Sequence, residues 1–431
     1  MLTLLGNQQK FCDGVSRRNF LKVGALAVGG FTLADLLKLE AQAGGSVKRK
    51  SIINIYLGGG PTHMDTFDLK PKAPAEYRGE FRPIETNVPG MEICELLPNL
   101  ARLADKFSIV RSIMDLNNEH NSTQSDSGWS VRSLQNMNGR PGIGAVVSKL
   151  HGTVTGNAPT SVALSSFGSH GFLSPVYQPF RPDSAGRANL QLNRSLNSER
   201  LTNRNELLGK LDRMRREVDQ SRMMESMDQF TKTAIQVVTS GELSDALDTN
   251  KEDPRLIERY GLKQNGRYAG NRSFLLARRL VEAGVRVVGL NWGGWDSHQN
   301  NFKTMRDQLP ALDVGLSALI EDLDTRGLLD DTIIMMSGEF GRTPRINNGA
   351  GRDHWPAAGF WFLGGGGFQN GQVIGSTTAN GERPQDRPVH LQQVYATVYR
   401  QLGIDPAATI FDNSGRPQYL LDYREPITEL L

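Results

Sequence analysis

Four short apolar runs, rich in β-branched residues, constrain the fold more than any other feature of this 431-residue sequence. They cover residues 51–57, 107–112, 285–290 and 332–336. Near-continuous apolar runs of this length are typical of strands that are buried on both faces of a sheet. Three of the runs lead directly into loops rich in glycine and polar residues, which is where open α/β sheets carry their sites.

Helical patterns separate the later strands. Residues 272–283 have helical periodicity that ends at Gly284, and residues 302–326 form a second predicted helix in which Pro310 predicts a kink. The order helix, strand, loop, helix, strand, loop predicts an α/β fold, with a mostly parallel sheet flanked by helices. Between about residues 150 and 250 the pattern weakens and includes a charged helical stretch, interpreted as an insertion or cap region.

Residues 1–43 have the order of an export signal rather than of a folded element. The paired arginines Arg17 and Arg18 precede an uncharged run over residues 23–33, and Ala41-Gln42-Ala43 offers a cleavage site. The run is about half of the roughly 20 residues that span a bilayer, so it predicts a signal and not an anchor. The sequence therefore predicts export by the twin-arginine translocase to the periplasm or cell exterior, with no transmembrane anchor after signal cleavage.

Residues 44–431 are predicted to form one large domain. Their charge and cysteine content exclude some classes of protein. The whole chain has a net charge of +3, and the signal alone holds five basic and three acidic residues. A nearly neutral mature protein does not support a basic face for nucleic acid. Cys94 is the only cysteine after the signal, so a buried core and not a disulfide framework must stabilise the fold.

Three of the seven histidines stand in polar loops beside carboxylates: His63 with Asp65, His298 with Asp296, and His354 with Asp353. Two of these clusters have i, i+2 spacing, which places both side chains on one side of extended backbone. Mixed nitrogen and oxygen ligands suit zinc, manganese or iron better than calcium, which prefers oxygen alone. A single Asp-x-His pattern also occurs in turns, and this alternative stays open, but the three clusters together favour a divalent metal.

Charged residues and glycines at the strand ends add further candidates. Glu339 stands at the tip of a buried strand, so it needs a metal, or Arg342 as the partner in an internal ion pair. Arg342 and Arg352 are alternatively candidates to clamp a phosphate or sulfate. The Gly58–Gly60 run offers backbone N–H groups to an oxyanion, although it lacks the lysine of a P-loop. On local sequence alone, His120 is equally well a loop histidine or a site residue.

Six ordered sequence blocks together resemble domain-of-unknown-function family 1501, exported proteins similar to the sulfatases of the alkaline phosphatase superfamily. The blocks are residues 17–22, 57–68, 276–285, 294–298, 338–344 and 351–356. The resemblance implies an alkaline-phosphatase-like fold that places one or two divalent metals at the C-terminal edge of its sheet. It also implies hydrolysis of a phosphate or sulfate ester in a small-molecule or glycan substrate.

Pattern and resemblance together give six candidate metal ligands: Asp296, His298, His354, Glu339, Asp65 and Asp353. They give four candidate catalytic residues, three of them in the loop where the nucleophile of the superfamily would fall: His120, Ser122, Thr123 and Arg342. Glu339-Phe340 stands where the superfamily has Asp-His, and the Cys-x-Pro-x-Arg motif of sulfatases is absent. Two rivals therefore stay open, a non-catalytic metal-stabilised binding or envelope protein and a phosphomutase-like enzyme.

Overall fold

The structure, a computed structural model, describes residues 50–153, 158–182, 241–263 and 266–431. The predicted signal peptide and the charged stretch of the predicted insertion lie outside the described residues. The strands of the described ranges are β1 (Ser51–Tyr56), β2 (Pro83–Glu85), β3 (Glu92–Cys94), β4 (Phe107–Met114), β5 (Ser161–Ala163), β6 (Val287–Asn291), β7 (Thr332–Ser337), β8 (Gly341–Arg342), β9 (His354–Trp355), β10 (Gly359–Gly365), β11 (Val373–Ile374), β12 (Ser376–Thr377), β13 (Pro384–Asp386), β14 (Val389–His390), β15 (Thr409–Phe411) and β16 (Pro417–Tyr419).

The α-helices of the same ranges are α1 (Ala75–Arg78), α2 (Pro98–Ala101), α3 (Thr123–Ser127), α4 (Ile143–Leu150), α5 (Glu242–Leu247), α6 (Pro254–Arg259), α7 (Arg272–Glu282), α8 (Asn301–Thr325) and α9 (Leu391–Gln401). Short 3-10 helices cover Ala104–Lys106, Gln135–Met137, Pro175–Tyr177, Thr249–Lys251, Ala269–Asn271, Leu329–Asp331 and Thr428–Leu430. Both predicted helices are present, and α8 continues through Pro310. Among the described helices, none combines the length and the apolar character that crossing a membrane requires.

The four predicted strands are the centre of one sheet, in which the strand order is β11-β4-β10-β7-β1-β6-β5 and β14 also pairs with β4. β1 is parallel to both β6 and β7, and β5 is parallel to β6. β10 is antiparallel to both β4 and β7. The predicted mostly parallel sheet is confirmed, and the antiparallel β10 is an element that the sequence patterns did not predict.

Helices cover both faces of the sheet because its strands are apolar on both sides. In β1, Ile53 and Ile55 belong to one buried cluster, which includes residues of α7 and α8. Ile52 belongs to the other cluster, with residues of α4 and α9. Successive side chains of a strand point to opposite faces, so a continuous apolar run requires a helical layer on each side. The result is the three-layer α/β architecture that the strand and helix patterns predicted.

The direction of the strands gathers four loops at one edge of the sheet. β1, β6 and β7 are mutually parallel, so their C-terminal ends lie at the same edge. β4 runs the same way, since it is antiparallel to β10 and β10 is antiparallel to β7. The loop after β7 also forms the β8–β9 hairpin, which pairs Arg342 with His354. The candidate residues therefore follow the ends of β1, β4, β6 and β7, as open α/β sheets place their sites.

Asp126 in α3 is a buried carboxyl near this edge, and burial raises its pKa to about 7 against the opposing effect of backbone hydrogen bonds from Ser169 and Ile143. A raised pKa means that the folded protein keeps the proton while the unfolded chain ionises near its ordinary value. The contribution of Asp126 to the free energy of unfolding is therefore fully present below about pH 4 and is lost as the pH rises through about 7.

We expect Asp126→Asn to stabilise the protein more at pH 8 than at pH 5, because the amide carries no charge at either pH. The wild-type free energy of unfolding should fall by up to about 1.4 kcal/mol per pH unit from this group between its two pKa values. Urea unfolding of both proteins at the two pH values measures the difference. The exposed Asp386→Asn variant is the control, and an equal effect of Asp126→Asn at both pH values would contradict the prediction.

Candidate metal centre

Three imidazoles and one carboxylate meet at the C-terminal edge of the sheet. His120 lies in the loop after β4, Asp296 and His298 lie in the loop after β6, and His354 begins β9. One donor atom from each of His120, Asp296 and His354 lies within 4.8 Å of the others. The fold thus brings together three of the predicted metal ligands, Asp296, His298 and His354, with His120, a predicted catalytic residue.

Asp296 is the centre of this cluster. Its Oδ1 atom lies 3.1 Å from Nε2 of His298 and 3.2 Å from Nε2 of His354, and its Oδ2 atom lies 3.2 Å from Nε2 of His120. The Nε2 atoms of His298 and His354 are 3.1 Å apart. The four side chains are partly exposed, so the cluster is open to solvent and to a substrate.

Each of the three imidazoles has a second partner behind it, on Nδ1: Glu339 at 2.8 Å for His120, Asp353 at 2.6 Å for His298, and Asn118 at 3.1 Å for His354. All three partner atoms are oxygens that only accept hydrogen bonds, and each lies closer to its ring than the nearest oxygen of Asp296 does, so a neutral ring places its proton on Nδ1. Nε2 of each neutral ring then carries a lone pair, and all three lone pairs face the carboxylate of Asp296. Partners of this kind orient the histidine ligands of metal sites.

This arrangement fits a bound cation. Nε2 of His298, Nε2 of His354 and Oδ1 of Asp296 lie 3.1–3.2 Å from one another, and Nε2 of His120 lies 3.2 Å from Oδ2. Nitrogen lone pairs this close to an anionic carboxylate repel it unless positive charge is shared among them. In a tetrahedral site with metal–ligand distances of about 2.0–2.1 Å, the ligands are about 3.3 Å apart. The spacing and the mixed nitrogen and oxygen donors therefore fit a divalent metal such as zinc or manganese better than calcium.

The surroundings shift the pKa values of the side chains in the cluster in different directions. Burial opposes ionisation of Asp296, but a hydrogen bond from Arg342 and the contacts with His354 and His120 hold its pKa well below the ordinary value. Partial burial also opposes the charged form of His120, yet the hydrogen bond to Glu339 and the nearby carboxylate of Asp296 raise its pKa. Burial lowers the pKa of His354, which favours the neutral ring. Asp296 is therefore an anion throughout the physiological pH range.

Arg342, the residue predicted to hold an oxyanion, makes its hydrogen bonds within the protein. Its side chain is fully buried, and Nε and Nη1 donate to the carbonyls of Gly60 and Arg352, each at 2.9 Å. Nη2 donates to the carbonyl of Gly59 and, at 2.5 Å, to Oδ1 of Asp296. All three side-chain nitrogens of Arg342 thus donate to acceptors of the protein, in the glycine turn, Arg352 and Asp296.

Glu339 is fully buried and does not pair with Arg342. Its carboxylate accepts the backbone N–H of Gly59 at 3.0 Å and that of Gly60 at 3.1 Å, and its Oε1 atom contacts His120. These N–H groups, candidates for binding a substrate oxyanion, therefore donate to a side chain of the protein itself. Glu339 lies behind the cluster, on the far side of His120 from Asp296.

Asp65 lies outside the cluster, in a buried ion pair with Arg352 at 2.8 Å. Thr62 and Asn301 donate to the same carboxylate, at 3.0 and 2.8 Å. His63 is also buried, with Nε2 2.8 Å from the carbonyl of Gly381, and burial lowers its pKa. The i, i+2 argument does not apply to this pair, because residues 63–68 form a turn in which the His63 carbonyl accepts three backbone N–H groups.

The two hydroxyl candidates follow His120 along the chain. Ser122 precedes α3 and Thr123 begins it, both half-buried, and the Thr123 N–H donates to Oδ1 of Asn121 at 2.9 Å. The structure thus places both on the loop that carries His120. Asn118, the partner of His354, received no role from the sequence, and its position in this loop was the only signal that could have identified it.

The comparison with solved structures found several chains of low similarity to this one. The PsFucS1 sulfatase from Pseudoalteromonas sp. has a TM-score of 0.38 at 13% identity, covering 86% of this chain and 70% of that one. The lipoteichoic acid synthase LtaP from Listeria monocytogenes has a TM-score of 0.34 at 11% identity, covering 84% and 73%. Ps i-CgsB in complex with k-i-k-neocarrahexaose has a TM-score of 0.35 at 11% identity, covering 82% and 72%. The comparison with curated proteins found no match.

The family comparison covers nearly the whole chain. Residues 49–431 match the family described as Protein of unknown function (DUF1501). The match contains the five sequence blocks that follow the predicted signal, and these include Asp296, His298, His354 and Glu339. The resemblance that these blocks carry is confirmed. The chain belongs to the DUF1501 family.

Proposed function

We propose that this protein is an exported, metal-dependent hydrolase that acts on a phosphate or sulfate ester. The observation that carries the proposal is the convergence of three imidazole Nε2 atoms on the carboxylate of Asp296, at an exposed edge of the sheet. A divalent cation bound there would supply a Lewis acid that polarises an oxygen of the ester and stabilises the charge that develops on it.

Asp296, His298 and His354 are the residues that would hold the cation. Asp353 keeps His298 in the tautomer that presents Nε2, and Asn118 does the same for His354. Arg342 fixes the carboxylate of Asp296 from behind. This outer layer makes the donor set rigid before any cation or substrate binds, which lowers the reorganisation needed in the reaction.

His120 would act next to this site as a catalytic side chain, with Ser122 and Thr123 as the hydroxyl candidates for the nucleophile. It faces Oδ2 of Asp296, whereas His298 and His354 face Oδ1, so it stands on a different side of the carboxylate. A neutral His120 presents its Nε2 lone pair towards the position where an ester oxygen or attacking water would lie. The substrate proposed is a small-molecule or glycan ester outside the cytoplasm, consistent with the predicted twin-arginine signal.

A second function has one observation in its favour. The donor atoms of His120, Asp296 and His354 lie within 4.8 Å of one another, and His298 adjoins two of them. Four protein ligands would give the closed coordination of structural zinc sites, whereas catalytic sites keep a position open. If His120 is a fourth ligand, the protein is a metal-stabilised binding or envelope protein that retains the fold. The role of His120 therefore separates the two functions.

We expect His120→Ala to keep the cation and to lose ester hydrolysis by about 100-fold or more, the usual contribution of a positioned acid or base. The purified protein, stripped with chelator and reloaded with zinc, manganese or calcium, should be assayed on phosphate monoesters, phosphodiesters and sulfate esters. His170→Ala, at a histidine outside the cluster, is the matched control. Loss of the cation from His120→Ala, with no hydrolysis by the parent, would support the structural site instead.

A further inference from the structure

The glycine turn at residues 58–60 is an anion-binding turn that the protein fills with its own carboxylate. Successive backbone N–H groups in a turn form a concave site for an anion. Here the N–H groups of Gly59 and Gly60 donate to the buried carboxylate of Glu339, and the hydroxyl of Tyr56 also forms a hydrogen bond with it. The turn therefore serves a residue of the protein and not a substrate.

The same turn is held from its other side by Arg342, which donates to the carbonyls of Gly59 and Gly60. Both glycines have positive φ, 102° and 72°. A Cβ atom at Gly59 would lie 2.4 Å from the backbone nitrogen of Asp296. No other residue type fits this conformation and this close approach, so the position of the turn is fixed, and the carboxylate of Glu339 is fixed with it.

The carboxylate of Glu339 also contacts one residue of the candidate metal centre, His120. Oε1 of Glu339 lies 2.8 Å from Nδ1 of His120, whose side chain is 50% exposed and stands on a loop. We infer that Glu339 is a positioning residue, which the glycine turn orients so that it holds His120 in the Nδ1–H tautomer and directs the Nε2 lone pair at the cluster. The consequence for catalysis rests on the proposed function, but the tautomer itself does not.

The variant Glu339→Gln should reverse the tautomer of His120, because a glutamine side chain has one oxygen where a glutamate side chain has two. Oε2 is within hydrogen-bond distance of both backbone N–H groups, 3.2 Å from Gly59 and 3.1 Å from Gly60, so the amide oxygen takes its position, since leaving both groups buried without an acceptor is costly. The amide NH₂ group then faces Nδ1 of His120. The imidazole ring of His120 can accept a hydrogen bond from this group only if Nδ1 carries no proton. His120 should therefore change from the Nδ1–H to the Nε2–H form.

Nitrogen NMR of the metal-free protein, labelled only in its seven histidines, measures this directly at about pH 9, where an imidazole is neutral. His120 should be the Nδ1–H tautomer in the wild type and the Nε2–H tautomer in Glu339→Gln. His298, whose Nδ1 is held by Asp353, is the internal control and should be the Nδ1–H tautomer in both proteins. Asp353→Asn is the matched variant, which should leave the tautomer of His120 unchanged.

A wild-type His120 in the Nε2–H form would overturn the inference, and this measurement needs no variant, so it stands even if Glu339→Gln does not fold. An unchanged tautomer in a folded Glu339→Gln would also overturn it. Neither result depends on hydrolysis. A wild type that has the expected tautomers but hydrolyses no ester with any cation would instead remove the proposed function and leave the positioning role in place.

Discussion

Replacing Asp296 with alanine should lower the affinity for the cation by more than about 100-fold and remove cation-dependent hydrolysis. Loss of a partner that only orients a ligand already costs about 10–100-fold in affinity, and a ligand that contacts the cation contributes more. Asp296 contacts all three imidazoles, at 3.1–3.2 Å, and carries the negative charge of the cluster. Without it, three neutral rings remain around the site.

Affinity can be measured by competition with a chromogenic chelator and compared with the free energy of unfolding of the same metal-free protein. Asp296→Asn, which keeps the shape and removes the charge, separates the electrostatic effect from the loss of packing. Asp307→Ala on α8 is the control, because Asp307 is exposed and pairs only with a surface lysine in the described contacts. If Asp296→Ala binds the cation as tightly as the parent, the metal centre is not where we place it.

The centre of the fold was predictable because its strands carry a strong local signal. The four apolar runs became β4 and the three adjacent parallel strands β7, β1 and β6. A strand covered on both faces has to be apolar at nearly every position, and this leaves a pattern that few other elements share. β10 had a weaker signal, since four glycines follow Leu363 and obscure its aromatic run. Its antiparallel direction depends on tertiary pairing, which no local pattern encodes.

Part of the candidate site was predictable in the loop after β6. Asp296 and His298 have i, i+2 spacing and do meet, at 3.1 Å. His63 and Asp65 have the same spacing, but a turn sends their side chains to different partners. Spacing alone therefore could not separate a ligand pair from a buried structural pair.

The role of His120 was the hardest to predict, because its partners are distant in sequence. Glu339 is 219 residues away and Asp296 is 176 residues away. Only the topology, which brings the ends of β4, β6 and β7 to one edge, makes these contacts possible. The same holds for Glu339 itself, whose carboxylate was expected to need a metal or Arg342 and instead lies in the glycine turn.

Breaking the buried ion pair between Asp65 and Arg352 should destabilise the protein by about 3–5 kcal/mol, because removal of one partner leaves an uncompensated charge in the interior. Both side chains are fully buried, and Arg352 also donates to the carbonyls of Thr343 and Tyr77. Arg352→Met keeps most of the volume and removes the charge. Arg306→Met, which breaks an exposed pair with Glu80, should change stability by less than about 1 kcal/mol.

The same ion pair decides whether Asp65 belongs to the metal centre. Its carboxylate already accepts hydrogen bonds from Arg352, Thr62 and Asn301, which leaves it little capacity to bind a cation. Asp65→Asn should therefore lower the free energy of urea unfolding while the folded protein keeps the cation content of the parent. A folded Asp65→Asn variant that loses the cation would return Asp65 to the ligand set, because the loss could not be attributed to unfolding.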